Sequence, residues 1–265
     1  MSERPIGVFD SGIGGLTTVI ELRSILPCED IIYLGDTARV PYGTRSRETV
    51  VRYARQDFEF LKKLGVKFII AACGTVSSVI ASEKGFDDGC LGVIAPAAEA
   101  ACRSTKNGRI GVIATGASVR SGSYERLIKN IMPGAEIISK ACPMFVPLVE
   151  NGYFARGCIP AETIAREYLE PLKARGIDTL ILGCTHYPLL KDIISDIFGD
   201  GVKLISSGAE AANSAEKYLE KNGLLNKKNT PGDIRMFCTD SPELFRENAE
   251  HFIDLEGITV EKCDL

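Results

Sequence analysis

The chain has 265 residues, of which 45% are hydrophobic and 25% are charged, and its formal net charge at pH 7 is −4. This composition is ordinary for a globular protein, and its slight negative charge provides no basic surface for nucleic acid or for an anionic membrane. The most apolar stretch, 68–81, is too short to span a bilayer. Asp10 interrupts the first apolar run, which is not the pattern of a signal peptide, so we expect a cytoplasmic protein.

The cysteines are the next informative feature, because their number is odd and no pair has CxxC spacing. In a reducing cytoplasm they remain free thiols, and their scattered spacing fits no disulfide framework. His186 is the only histidine close to a cysteine, so we predict no metal site. The nine positions are 28, 73, 90, 102, 142, 158, 184, 238 and 263.

Short apolar runs rich in Ile, Val and Leu alternate with amphipathic segments along the chain. Runs without polar alternation are typical of strands buried on both faces, and apolar residues at helical spacing predict helices at 48–64 and 161–173. Strands alternating with helices predict an α/β fold with mostly parallel sheets. The predicted strands lie at 6–9, 31–34, 68–72, 91–94, 110–114, 136–139, 179–183, 203–206, 234–238 and 258–262.

The sequence also repeats itself, in three segments that keep their order and nearly the same offset. Such self-similarity predicts duplicated structural units. We therefore expect two pseudo-symmetric α/β lobes flanked by helices, with the active site between them. The first lobe is predicted to be discontinuous, 1–97 plus 208–265, and the second to span 98–207. The matching segments are 6–12 with 110–116, 61–73 with 172–184, and 98–101 with 209–212.

Cys73 and Cys184 occupy equivalent positions in this repeat, each directly after a predicted strand. Ligands of open α/β sheets bind at the carboxyl ends of strands, and free amide groups at a helix start favour a thiolate. One thiol from each side of a shared cleft suits a reaction that removes a proton from one face of a carbon and returns one to the other. A thiol's ordinary pKa, about 8.5, makes both of its forms accessible near neutral pH.

Two further features have both a structural and a functional interpretation. The turn that contains Asp10 and Ser11 is rich in glycine but lacks the GxGxxG order of dinucleotide sites. It forms either a tight strand-to-helix connection or a loop that lets substrate approach these two side chains. His186 is either a polar residue at a helix start or a group that tunes Cys184. The seven other cysteines are more simply small buried residues.

At this point the motifs can be compared with a known family: the chain resembles the glutamate racemases over essentially its full length. The resemblance implies a cytoplasmic enzyme that interconverts L- and D-glutamate, supplies D-glutamate for peptidoglycan, needs neither pyridoxal phosphate nor a metal, and is usually a homodimer. The matching motifs are GVFDSGIGGL at 7–16, YLGDTARVPYG at 33–43, Ala72-Cys73 with Thr75, GVIAT at 111–115, CPMFVPLVE at 142–150 and LGCTHYPL at 182–189.

By position, the resemblance implies that Cys73 takes the proton from D-glutamate and Cys184 takes it from L-glutamate. Asp10 and His186 would assist the two thiols. Asp36 and Glu150 would be outer helpers. Substrate contacts are expected from Asp10, Ser11, Pro41, Tyr42, Gly43, Gly74, Thr75, Ser118, Thr185 and His186.

Gly74 departs from the family pattern, which usually has asparagine after the first cysteine. The asparagine amide normally contacts substrate, and a lost hydrogen bond to a charged group is worth about 1.5–3 kcal/mol. The departure leaves the proton-transfer pair unchanged. Three consequences are open: weaker substrate binding, compensation by water or a neighbouring group, or a different amino acid as substrate. Ser118, where the family commonly has threonine, keeps the hydroxyl.

Several other functions remain open from the residues alone. An aspartate racemase or a related two-cysteine isomerase would use the same chemistry on another substrate. A two-lobed small-molecule binding protein would make the thiols incidental. A thiol–disulfide redox protein normally has CxxC, and a cysteine hydrolase would need only one of the two thiols.

Overall fold

The structure is a computed structural model that describes residues 2–81, 83–86 and 89–265. The strands in these ranges are β1 Ile6–Asp10, β2 Ile31–Gly35, β3 Phe68–Ala71, β4 Cys90–Gly92, β5 Arg109–Ala114, β6 Glu136–Ala141, β7 Thr179–Leu182, β8 Lys203–Ser206, β9 Ile234–Cys238 and β10 Thr259–Lys262. The helices are α1 Leu16–Ile25, α2 Arg47–Lys63, α3 Gly74–Ile80, α4 Ile94–Ser104, α5 Gly116–Ser121, α6 Ser123–Ile131, α7 Phe145–Glu150, α8 Ile159–Ala174, α9 Lys191–Phe198, α10 Ser207–Lys221 and α11 Pro242–Ala249.

The strands form two parallel sheets, of order β10-β9-β2-β1-β3-β4 and β6-β5-β7-β8. Within the first sheet the order β2-β1-β3-β4 is repeated by β6-β5-β7-β8 in the second, so the repeat in the sequence corresponds to a repeat in topology. This confirms the predicted α/β class with two lobes. The last two strands extend the first sheet, because β9 pairs with β2 and β10 pairs with β9.

Every predicted strand agrees with the structure within two residues at each end. The strand predicted at 91–94 extends two residues too far. The strand β4 ends at Gly92, Val93 has helical backbone angles, and Ile94 already begins α4. Ile94 is a buried residue of that helix. An apolar run that continues from a short strand into a buried helix has no change of period to mark the junction.

The predicted lobe boundaries fall within helices. The first, after residue 97, lies inside α4, and the second, after residue 207, lies in the first turn of α10. We retain the division into 1–97 plus 208–265 and 98–207 as a proposal. Of the described helices, none combines the length and the apolar character needed to cross a membrane.

The first turn of α1 ties the two lobes together at the ends of their strands. Thr17 Oγ1 donates a hydrogen bond of 2.9 Å to the carbonyl oxygen of Thr185, which follows β7 in the second sheet. Thr17 is buried, so this bond is formed away from water. The close contact positions the loop after β1 against the loop after β7, where the sequence places its candidate site.

Candidate active site

A cavity of about 410 Å³ lies where loops from the carboxyl ends of both sheets meet. Cys73 follows β3 and Cys184 follows β7, the equivalent strand of the second sheet. One sulfur therefore enters the cavity from each lobe. The lining residues are Ser11, Gly12, Val40, Pro41, Tyr42, Gly43, Thr44, Cys73, Gly74, Thr75, Thr115, Gly116, Cys142, Pro143, Val146, Pro147, Glu150, Gly183, Cys184, Thr185, His186 and Tyr187.

The thiol of the first lobe, Cys73, is the N-cap residue of α3 and is buried. Its Sγ lies 3.5 Å from Ser11 Oγ. Burial and the charge of Asp10 raise the pKa of Cys73 to about 12, although the hydroxyl of Ser11 and the backbone N–H of Val76 act in the opposite direction. The helix start does favour the thiolate, as expected, but desolvation outweighs the helix amides at Cys73.

Asp10 is the last residue of β1 and lies behind the cavity wall rather than in it. Its Oδ2 accepts a 3.1 Å hydrogen bond from the backbone N–H of Gly12. Its Oδ1 is buried and finds no hydrogen-bond partner among the residues that the structure describes. Burial raises the pKa of Asp10, with His186 and the amides of Gly15 and Gly12 opposing the rise. The carboxyl is thus a buried group with a free acceptor atom, close enough to act on Cys73.

The thiol of the second lobe, Cys184, has a different environment. Its Sγ lies 3.8 Å from His186 Nδ1, and His186 Nε2 lies 3.0 Å from Glu150 Oε1. Burial opposes protonation of His186, but the contacts with Cys184 and Glu150 outweigh it and raise the pKa of the imidazole above its usual value. An imidazolium beside a sulfur favours the ionised sulfur.

The helix start expected after Cys184 is that of a short 3₁₀ helix. A 3₁₀ turn, Tyr187–Leu190, comes first, and α9 begins only at Lys191. His186, the N-cap residue of this 3₁₀ helix, therefore brings its ring to the sulfur at the start of the helix.

The glycine-rich turn after β1 packs directly on His186. A Cβ atom on Gly14 would lie 2.4 Å from Thr185 Oγ1 and 2.5 Å from His186 Nδ1, closer than real Cβ contacts. Only glycine permits this approach. The turn therefore fixes the ring of His186 from the first lobe, while the Phe252 ring contacts it edge-on at a centroid distance of 5.7 Å.

A row of hydroxyl groups crosses between the lobes beside the cavity. Thr75 Oγ1 lies 3.2 Å from Thr115 Oγ1, which lies 3.1 Å from Ser118 Oγ. Thr115 also caps α5 by accepting a bond from the backbone N–H of Ser118. These neutral groups are donors of the kind that can hold a carboxylate.

Comparisons with known proteins agree with this geometry. Residues 21–215 match the family described as Asp/Glu/Hydantoin racemase. Glutamate racemase 2 of Caldanaerobacter subterraneus subsp. tengcongensis is 46% identical, covering 94% of this chain and 93% of its own length. The chain belongs to the Asp/Glu/hydantoin racemase family. It is therefore an isomerase of the amino-acid racemase class.

Two solved structures of this racemase family resemble the chain throughout. Glutamate racemase isoform RacE1 from Bacillus anthracis has a TM-score of 0.93 and 37% identity, covering 100% of this chain and 99% of that chain. Glutamate racemase from Francisella tularensis subsp. tularensis, solved in complex with D-glutamate, has a TM-score of 0.88 and 40% identity, covering 100% of this chain and 98% of that chain. The two-lobed racemase fold thus extends over the whole chain.

Most of the residues that the sequence predicted for the racemase site line the cavity, and three do not. Asp10 lies behind Ser11, Ser118 lies one hydrogen bond behind Thr115, and Asp36 is buried next to Tyr42. The predicted residues that do line it are Ser11, Pro41, Tyr42, Gly43, Cys73, Gly74, Thr75, Glu150, Cys184, Thr185 and His186.

Sequence reasoning missed other residues of the racemase cavity. Thr115 had a usable signal, because the repeat that aligns 6–12 with 110–116 makes it the counterpart of Ser11. The cavity also has an apolar wall, which consists of Val40, Pro143, Val146 and Pro147. No sequence pattern indicated these residues, because an isolated Val or Pro in a loop is compatible with many structural roles. Among the described residues no group of three or more His, Cys, Asp or Glu side chains is arranged to hold a metal ion.

Proposed function

We propose that the chain is a glutamate racemase that interconverts L- and D-glutamate without a cofactor, with Cys73 and Cys184 as its two bases. The observation that carries the proposal is that the two thiols line one cavity from opposite lobes, each after the equivalent strand. The choice of glutamate is supported by relatives and solved structures named glutamate racemase that match nearly the whole chain.

The reaction needs one acid and one base on opposite faces of the α-carbon. With L-glutamate, ionised Cys184 takes the α-proton, and protonated Cys73 delivers its own proton to the other face of the resulting carbanion. The product is D-glutamate, and the two sulfurs have exchanged protonation states. The reverse reaction begins from that exchanged state, so that protons and charge balance in both directions.

The two electrostatic environments suit this division of roles. The imidazolium of His186, held by Glu150, favours ionised Cys184. Burial and Asp10 keep Cys73 protonated. The free protein is thus prepared to accept a proton from L-glutamate. Once Cys73 has given its proton away, Ser11 assists it by a hydrogen bond to its sulfur. Asp10 assists the reverse reaction, because a thiolate whose pKa is raised is a stronger base for the α-proton of D-glutamate.

In this proposal, neutral hydrogen-bond donors around the cavity bind the carboxylate groups of the substrate. The lining residues include Ser11, Thr75 and Thr185, which carry hydroxyl groups, and Tyr42 and Gly43, which carry backbone N–H groups. Preorganised donors in a site with little water stabilise the charge that develops as the α-proton leaves. Ser118 would act indirectly, by orienting Thr115. Gly74 contributes only backbone at this site.

The resemblance supports three further assignments: supply of D-glutamate for peptidoglycan, a cytoplasmic location and a homodimeric state. The oligomeric state is tested by light scattering of the purified protein, where a mass of twice 28.7 kDa supports the dimer. A mass of one chain at all concentrations would contradict it.

The function is tested by incubating purified protein separately with L-glutamate, D-glutamate, L-aspartate and D-aspartate, without added cofactor, and following products by chiral chromatography. Racemisation of glutamate alone supports the proposal. Racemisation of aspartate alone would overturn the substrate assignment and leave the two-thiol mechanism. Binding without turnover of any of the four would favour the two-lobed binding protein.

A further inference from the structure

A buried cluster of polar side chains lies directly behind the wall segment 41–44 of the candidate site. Asp57, on α2, belongs to it and has no part in the proton transfers. Asp57, Asp36 and Tyr42 are all at most 1% exposed. Tyr42 is shared between the cluster and the cavity, because it also lines the cavity with its neighbours Pro41, Gly43 and Thr44.

The contacts in the cluster are short and specific. Tyr42 Oη donates to Asp36 Oδ2 and also lies 3.0 Å from Asp57 Oδ2. The Arg39 guanidinium joins both carboxyls, with Nε 2.5 Å from Asp36 Oδ2 and Nη2 3.1 Å from Asp57 Oδ1. Thr239 Oγ1 donates a 2.8 Å bond to Asp36 Oδ1.

Counting protons shows that one carboxyl must be neutral. A tyrosine hydroxyl has a single proton, so Tyr42 can donate to only one of the two carboxyls that contact it. The second contact is attractive only if that carboxyl carries a proton and donates to Tyr42 Oη. Two ionised carboxyls with one guanidinium would also leave a net negative charge in the interior, which is costly.

Asp57 rather than Asp36 is the group that keeps the proton. Asp36 accepts from Arg39, Tyr42 and Thr239. Within the described part of the chain, Asp57 accepts only from Arg39 if Tyr42 donates to Asp36. Burial and the nearby charge of Asp36 raise the pKa of Asp57 well above its usual range, with the charge of Arg39 opposing the rise and more distant Asp10 adding to it. Cys263 also faces this cluster.

We propose that Asp57 is a positioning residue that remains a neutral carboxylic acid, donates its proton to Tyr42 Oη, and thereby fixes the cavity wall 41–44 for substrate. The proposal rests on the proposed function for its effect on turnover. The chain of contacts runs from Asp57 to Tyr42, and from Tyr42 through the backbone to the neighbouring residues of segment 41–44 that line the cavity. Asp57 itself touches no reacting atom.

The matched pair of variants is Asp57→Asn and Asp57→Leu. An asparagine amide can donate to Tyr42 Oη and its oxygen can accept from Arg39, as the neutral acid does. Leucine has a similar shape and can do neither. We expect Asp57→Asn to keep kcat/KM within about threefold, and Asp57→Leu to raise the KM for both enantiomers about tenfold with a smaller fall in kcat, since one hydrogen bond is lost.

The protonation state has its own readout, which is independent of turnover. Protein labelled with ¹³C-carboxyl aspartate is examined by infrared spectroscopy for the carbonyl stretch of a protonated carboxylic acid at neutral pH. We expect such a band in the wild-type protein. In Asp57→Asn the band should lose the component that comes from Asp57. In Asp200→Asn, which removes an exposed carboxylate, the band should not change.

The outcomes separate the two proposals. A spectrum unchanged by Asp57→Asn, or a KM in Asp57→Asn as high as in Asp57→Leu, would overturn the role of Asp57. Wild-type protein that shows the band but racemises nothing would overturn the proposed function and with it the positioning role. It would leave the assignment of the buried proton standing.

Discussion

The backbone of Gly74 packs against the backbone of Gly183, directly beside the two thiols. A Cβ atom on Gly74 would lie 2.6 Å from the carbonyl oxygen of Gly183, a distance that real Cβ atoms do not show. Gly74 follows Cys73 and Gly183 precedes Cys184. Gly74, where the resemblance implies asparagine, therefore sets how closely the two halves of the site approach.

This contact predicts that Gly74→Asn lowers activity instead of restoring a missing donor. The obstructing atom is backbone, so the cysteine-bearing loops must move apart, and small misplacements of reacting groups cost about a hundredfold in rate. The measurement is kcat/KM for both enantiomers in Gly74→Ala and Gly74→Asn. Gly134→Ala is the control, because nothing lies within 4 Å of the position of its Cβ. An active Gly74→Asn with a lower KM than wild type would support the missing donor instead.

Replacement of either thiol is expected to abolish racemisation in both directions. Each direction uses one sulfur as base and the other as acid, and a positioned acid or base contributes about 10²–10⁴-fold to a rate. Cys73→Ala and Cys184→Ala should each lose at least this factor with L- and with D-glutamate. The control is Cys28→Ala, a cysteine outside the cavity. Near-normal turnover in either active-site variant would contradict the two-base mechanism.

Glu150→Gln is expected to move the alkaline limb of the pH profile for L-glutamate to lower pH. The contact with Glu150 helps to raise the pKa of His186, so its loss lets the imidazolium deprotonate at lower pH. As pH rises, ionised Cys184 in the variant therefore loses the positive charge of the His186 imidazolium at a lower pH than in the wild type. The measurement is kcat/KM against pH, with Glu220→Gln, an exposed residue of α10, as the matched control. An alkaline limb in the same place would show that Glu150 does not act on His186.

The buried ion pair between Lys67 and Glu29 lies at the end of the first sheet opposite the candidate active site, and we expect it to stabilise the fold. Their Nζ and Oε2 atoms lie 2.5 Å apart with both side chains 2% exposed. Lys67→Met leaves a buried carboxylate unpaired, which typically costs about 3–5 kcal/mol. Urea unfolding measures the loss.

The control for this pair is Arg235→Met, which breaks a half-exposed ion pair with Glu261. Exposed pairs contribute about 0–1 kcal/mol, so its unfolding free energy should change little. Equal losses in the two variants would contradict a special role for the buried pair.

The sequence was sufficient to predict the α/β class and the positions of both thiols, since the repeat marked Cys73 and Cys184 as equivalent strand ends. It also contained the signal for Thr115. Long-range contacts were not accessible: His186 and Glu150 are brought to 3.0 Å by packing between elements that are separate in the chain. Burial at Cys73 and the close approach at Gly74 likewise depend on how loops of two lobes meet, which no local pattern records.

The most direct test of the central claim is racemisation of L-glutamate in D₂O, stopped while little product has formed. If Cys184 removes the α-proton and Cys73 supplies a solvent-derived deuteron from the opposite face, the D-glutamate formed carries deuterium at Cα and the remaining L-glutamate carries hydrogen. Deuterium in recovered L-glutamate at a level comparable to that in the product would mean that one base serves both faces, and would contradict the two-thiol account.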